Sequence, residues 1–247
     1  MVKALRIGTK SAALLADAAR RAAALDLGAP VAIRVNPRAR RLLLRVDAAA
    51  RQVELVLPRG VAPAHGVKFL DAQRGWITAR LAALPEVVPF AEGAVVPVLG
   101  VPHVICRETT PAVRPVAIAD DKISVTGNPA HLPRRVKDYL RRLAAREFAV
   151  RAGAFAAQID RRVARVTVRD TKSRWGSCSA AGALSFSWRL IMAPEPVIDY
   201  VVAHEVAHLV EMNHGPRFWR LVRDLVPDTA APRAWLKRHR NRLFSYG

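Results

Sequence analysis

The 247-residue chain contains only two cysteines, Cys106 and Cys178, far apart in sequence. That excludes a disulfide framework and any zinc-finger spacing, and it points to a reducing, cytoplasmic setting. A chain of this length can build a core without covalent staples, as one large domain or two small ones. Long apolar runs are missing too. Arg, Asp or Pro interrupts every stretch before it reaches the roughly 20 residues of a membrane span, so a soluble protein without a membrane partner is expected. At the amino terminus, Asp17, Arg20 and Arg21 break any apolar core of a secretory signal, leaving an amphipathic helix near Ser11 to Leu25. Acidic residues are scarce: 20 Asp and Glu stand against 40 Lys and Arg, a net charge of +20. This excess favours nucleic acid or another anionic ligand as a partner. The basic residues are nevertheless spread along the chain in an alanine- and arginine-rich background, with no single tract, no internal repeat and no low-complexity linker.

What is present reads as an α+β protein. Val31 to Asn36, Arg41 to Val46 and Gln52 to Leu57 have strand composition, separated by Asn36-Pro37 and an Ala-rich turn, and predict a meander. Pro63 to Leu84 carries Phe69, Leu70, Trp76, Ile77 and Leu81 at helical spacing, with Trp76 expected in the core. Two strand pairs follow, Val95 to Val98 with His103 to Arg107, and Val116 to Ile118 with Lys122 to Val125. From Pro133 a long helix begins, its apolar stripe running through Val136, Tyr139, Leu140, Leu143, Phe148, Phe155 and Ile159. Strands at Arg165 to Arg169 and Ala183 to Trp188 flank the unusual segment Lys172-Ser-Arg-Trp-Gly-Ser-Cys178. Helices from about Pro194 to Glu211, Pro216 to Leu225 and Pro232 to Phe244 complete the chain. The expected organisation is an N-terminal helical extension over 1–30, a β-rich subdomain over 31–130 and a second domain over 131–247.

The chemistry is concentrated in one apolar helix. It contains His204-Glu205-Val206-Ala207-His208, a His-Glu-x-x-His motif. At 3.6 residues per turn, His204 and His208 stack one above the other and can share a metal ion, while Glu205 lies about 100° around the helix. There it is free to act as general base on water activated by the metal. Burying two imidazoles and a carboxylate among Val, Ala and Leu costs several kcal/mol unless a metal or tight pairing satisfies them. A catalytic zinc has three protein ligands and an open position. His214 is the leading candidate for the third. Six more helical residues would rotate it about 240° from His208, so the helix must end first, with Asn213 in a left-handed cap and Gly215-Pro216 as breakers. Glu211, seven residues after His204 on the same face, is the rival ligand.

These residues predict a zinc-dependent hydrolase, foremost a peptidase acting on a peptide or protein substrate. The alternatives are a metal-dependent phosphohydrolase for nucleotides or other anionic substrates, and a non-catalytic zinc-containing nucleic-acid-binding module. Glu205 argues against the last, because a closed structural site uses four protein ligands and needs no carboxylate beside an open one. Tyr200, Arg174 and His239 are candidate electrophilic helpers. The remaining histidines, His65, His103 and His131, read as ordinary packed or surface residues.

Ser173-Arg-Trp-Gly-Ser-Cys178, Asp199-Tyr-Val-Val-Ala-His-Glu-Val-Ala-His208 and Asn213-His-Gly-Pro-Arg-Phe-Trp219 together resemble the YgjP-like metallopeptidase family, related to SprT-like zincins. The likeness extends to Pro37-Arg-Ala-Arg-Arg41, Pro58-Arg-Gly60 and Trp76-Ile77, and so covers most of the chain after residue 30. It implies a zincin-type C-terminal domain with His204, His208 and His214 as zinc ligands and Glu205 catalytic. The His-Glu-x-x-His-x5-His spacing also fits the metzincin register, but Glu211 stands where those enzymes have a glycine, so the chain is not read as a metzincin. Arg174, Trp175, Gly176, Ser177 and Cys178 are expected to line the substrate cleft, with Trp175 to Cys178 as an edge strand that extended peptides pair with. The competing reading of this segment is a packed turn with Cys178 an inert small hydrophobe. Phe218 and Trp219 are expected to pack behind the metal.

Overall fold

A computed structural model describes residues 9–48, 50–109, 115–171 and 174–247. The fold is mixed α+β and divides into two compact units, Met1–Pro85 and Glu86–Gly247. The units therefore part at Pro85, not near residue 130. The first two residues of the Lys172 to Cys178 segment lie outside the described residues.

The first unit contains α1 (Thr9–Ala23), β1 (Val31–Asn36), β2 (Leu43–Asp47), β3 (Gln52–Pro58), α2 (Pro63–Ala72) and α3 (Arg74–Ala82). Its strands do not form a meander. β3 lies between the other two, antiparallel to β2 and parallel to β1. Val53, Leu55, Val56 and Leu57 are fully buried, which suits β3 to the centre of the sheet, where both faces and both edges are covered. Helix α1 packs on α2 and β1, so the N-terminal helix is part of this unit instead of an extension to it. The long helix expected over 63–84 breaks at Gln73. After the break Ile77 is fully buried, whereas Trp76 is 47% exposed and is not a core residue. In α2, Gly66 lies against Leu55 and Leu57, whose side-chain carbons would stand 2.7–2.8 Å from any added Cβ.

In the second unit, β4 (Val95–Val98), β5 (Val101–Glu108), β6 (Val116–Ala119) and β7 (Lys122–Thr126) form one sheet. Both expected strand pairs are present, and the parallel β5–β7 ladder joins them in the order β4-β5-β7-β6. The helix α4 (Leu132–Gln158) packs against β6 and β7. Its buried Val136, Leu140 and Phe148 belong to the same apolar core as Val96, Ile105 and Ile123 of that sheet. This shared core is why no boundary falls near residue 130.

Next come β8 (Arg165–Arg169), β9 (Gly176–Cys178), β10 (Ala183–Ser187), α5 (Glu195–Ala207), α6 (Pro216–Leu225) and α7 (Ala230–Phe244). Strand β10 is central, parallel to β8 and antiparallel to β9, which leaves β9 at the sheet edge. Helix α5 is buried nearly all round, as expected for a helix apolar on every face. Arg151 of α4 fixes its first turns. Its guanidinium donates to Asp199 at 2.9 Å, to Glu195 at 2.6 Å and to Glu147 of its own helix at 2.6 Å. Among the described residues no helix is long and apolar enough to cross a membrane.

A second ion pair joins the turn between β10 and α5 to the end of β8. Arg189, 4% exposed, donates to the Asp170 carboxylate and lies 4.5 Å from the centre of the Trp188 ring. Lys137 approaches the other carboxylate oxygen at 3.3 Å. Burial pushes the Asp170 carboxyl up, but the Arg189 hydrogen bond and charge, with Lys137 behind them, outweigh it and hold the group below the usual carboxylate range. A depressed carboxyl pKa contributes stability that is fully present above the unfolded value of about 3.9 and is lost as pH falls through the folded value. Asp170→Asn is expected to cost about 2 kcal/mol at neutral pH, less than the full penalty for orphaning a buried cation because water reaches Asp170. Urea unfolding checks this: the gap between wild type and variant should narrow below about pH 4, and a gap that does not change with pH contradicts the assignment.

Candidate metal centre

Helix α5 ends at Ala207, earlier than its apolar pattern suggests, and His208 is its C-cap. The chain then turns back. The His208 Nδ1–H donates to the Glu211 carbonyl at 3.0 Å, and Asn213 is not among the residues with positive φ, so the expected left-handed cap is not the device used. This tight turn brings His214 over the helix end, with its Nε2 3.1 Å from the Nε2 of His204. One donor atom from each of His204, His208 and His214 lies within 4.8 Å of the others, the single such cluster of His, Cys or acidic groups found among the described residues. Glu211 is not in the cluster. Its backbone, not its carboxylate, serves the site.

The donor set fits a metal ion. A tetrahedral site with bonds of ~2.0–2.1 Å places its nitrogens roughly 3.4 Å apart; the Nε2 atoms of His204 and His214 are 3.1 Å apart, and all three donor atoms lie within 4.8 Å of one another. The hydrogen bond at His208 Nδ1 leaves its Nε2 lone pair free, the usual way a backbone carbonyl sets the tautomer of a ligating histidine. Burial pushes His204 down to about 4, helped by His208, His214 and Arg233. His208 is lowered by burial and by His214, against the raising effect of its bond to Glu211. Both rings are therefore neutral near pH 7, as metal ligation requires. Phe218 supports all three imidazoles from behind, its ring 4.5–4.9 Å from theirs, and is fully buried. Trp219 is half-buried at the side, 5.7 Å from His204 and 5.8 Å from His214.

Glu205 is 7% exposed, and burial pushes its carboxyl up to about 7, with the Arg174 charge pulling the other way. It faces Gly176 of β9, where an added Cβ would fall 2.5 Å from Cγ and 2.6 Å from Oε1 of Glu205. Only a residue without a side chain lets the edge strand and the carboxylate come this close. Around them lies a cleft of about 340 Å³, lined by Arg174, Trp175, Gly176, Tyr200, Val201, His204, Glu205, Arg233 and Leu236. Arg174, Trp175 and Gly176 of the Arg174–Cys178 segment line this cleft. Ser177 and Cys178 continue β9 outside the lining; the Cys178 thiol donates to the Ser179 carbonyl at 3.4 Å and is pushed up by burial and by Glu205. Of the candidate helpers, Tyr200 and Arg174 are in the cleft, but His239 is not. It stacks on Trp235 at 4.4 Å and lines a separate cavity with Pro194 and Tyr246. Arg233 and Leu236 of α7 escaped the sequence reading, since nothing in that arginine-rich helix separates Arg233 from its basic neighbours. A larger cavity of about 860 Å³ beside Gly153, Arg161 and Val166 contains no donor cluster.

Metal titration tests this geometry directly. The purified chain is expected to take up about one divalent ion, and His204→Ala or His214→Ala to abolish tight uptake. Glu211→Ala should retain it, because alanine keeps the carbonyl that accepts from His208; loss of the ion in that variant would make Glu211 the third ligand.

No curated protein and no solved structure matched the chain. A family model described as YgjP-like, metallopeptidase domain matches residues 40–239, a span that includes β2 and β3 of the first unit and every residue of the triad. The chain belongs to the YgjP-like metallopeptidase family.

Proposed function

We propose that the chain is a zinc-dependent peptidase in which His204, His208 and His214 hold the ion and Glu205 is the general base. The observation that carries this reading is the placement of a buried carboxylate beside, and not within, a cluster of three imidazoles. When bound, zinc supplies Lewis acidity, lowering the pKa of coordinated water to about 7 and polarising a carbonyl oxygen. Glu205 takes the proton of the attacking water and delivers it to the amide nitrogen, which must be protonated to leave. The free edge of β9 offers backbone hydrogen bonds to an extended peptide, which would lie across the cleft beside Glu205. Tyr200 and Arg174 line that cleft, and their phenol and guanidinium groups supply the donors to the substrate carbonyl in this reading. Trp175 stacks on Phe244 at 5.2 Å, which holds the approach to β9 in place.

A second reading, a metal-dependent phosphohydrolase, is favoured by Arg174 and Arg233 in the same cleft, because guanidinium groups also bind phosphate oxygens well. Release of inorganic phosphate from nucleotides, with no cleavage of unfolded protein, would select it.

The zinc-loaded chain is expected to cleave an unfolded protein substrate, and Glu205→Gln to reduce turnover about 10³-fold while keeping the ion, as for loss of a general base. Retained turnover in that variant contradicts the assignment. Gly176→Ala should also keep zinc but lose about 10²-fold in kcat, because its methyl group displaces the Glu205 carboxylate. Parallel zinc analysis and peptide-cleavage rates on the two variants separate loss of the base from loss of the metal.

A further inference from the structure

Two guanidinium groups enter the cleft from different elements, Arg174 from the segment before β9 and Arg233 from α7. Both residues are exposed at its mouth, and among the described residues neither has a carboxylate partner. Two arginines elsewhere in this unit are ion-paired: Arg151 meets three carboxylates and Arg189 meets Asp170. Arg233 is held instead by an aromatic ring, its Cζ 5.1 Å from the centre of Trp219, which in turn flanks His204 and His214. Stacking of this kind fixes the plane of the guanidinium and presents its donor fork ready-made.

The charge of both groups reaches the reacting centre. Both residues line the same cleft as His204, Tyr200 and Glu205. A divalent ion held by the three imidazoles would add more positive charge, and the cleft lining holds one carboxylate, that of Glu205, to offset it. A cleft with such an excess of positive charge favours an incoming anion over a neutral ligand and penalises a cationic one.

We propose that Arg233 is a specificity-determining residue that binds a carboxylate of the peptide substrate close to the scissile bond. The carboxylate is an acidic side chain or the free C-terminus, either of which accepts the planar fork in bidentate fashion. This inference rests on the peptidase reading. It adds the substrate class: peptides with negative charge beside the cleaved bond, on a protein that is itself strongly basic.

The test measures binding apart from turnover. Zinc-loaded Glu205→Gln protein is titrated, by fluorescence anisotropy, with a labelled peptide carrying Glu near its centre and with its Gln twin, each with a free or an amidated C-terminus. The acidic member of one pair is expected to bind about tenfold tighter than its neutral twin, a preference that weakens with added salt. Whichever pair shows it identifies the source of the carboxylate. Adding Arg233→Gln should bring the ratio to about one, while Arg233→Lys keeps part of it, which a merely structural role for Arg233 would not do. Equal affinities within both pairs, or a preference that survives Arg233→Gln, overturn the proposal. Cleavage of the same four peptides by the zinc-loaded wild type distinguishes the two failures. Cleavage without preference overturns carboxylate recognition alone, and neither binding nor cleavage of any peptide overturns the peptidase reading with it.

Discussion

The hydrogen bond from His208 Nδ1 to the Glu211 carbonyl joins the helix end, the metal-facing nitrogen and the returning chain in a single contact. It closes the turn after α5, fixes which ring nitrogen of His208 keeps its lone pair, and sets the path that brings His214 back to His204. It acts together with the backbone N–H groups of Val210 and Glu211, which donate to the Ala207 carbonyl at 3.1 and 3.0 Å. Because the partner is a backbone carbonyl, the side chain at position 211 is free to be a carboxylate without competing for the ion.

The rest of the second unit holds this turn in place. Arg151 fastens the first turns of α5 to α4 through Asp199 and Glu195, two carboxylates at the helix end where negative charge is favourable. Phe218 fills the space behind the three imidazoles, so they cannot relax away from one another. From the opposite side β9 presses Gly176 against Glu205. The site is thus assembled from four elements separated in sequence, each contributing through packing or a named polar contact.

Much of this was legible in the residues. His204, Glu205 and His208 could be read because helical periodicity is local, and His214 because a continuous helix would have carried it to the wrong face. The turn itself differs from that expectation. Asn213 and Gly215 suggested a left-handed cap, whereas the chain leaves the helix earlier and uses a side-chain-to-backbone bond that no propensity records. Long-range pairing was also hidden: three short strands in a row suggest a meander, and only the burial of β3 on both faces shows why β1 passes over to its far side. The first unit's boundary at Pro85 and the entry of Arg233 into the cleft depend on which surfaces meet in three dimensions. Alternating hydrophobicity says which face is inward, not which partner it finds.

The closeness of Gly176 to Glu205 carries a consequence for how this chain can vary. Their atoms share one small volume, so positions 176 and 205 are not independent: a methyl group gained at the first has to be matched by a methylene lost at the second. Glu205→Asp alone would draw the carboxylate away from its place, and Gly176→Ala alone would push it out. Each opposes the steric effect of the other, which makes an edge strand and a helix almost thirty residues apart in sequence behave as one coupled mutational unit.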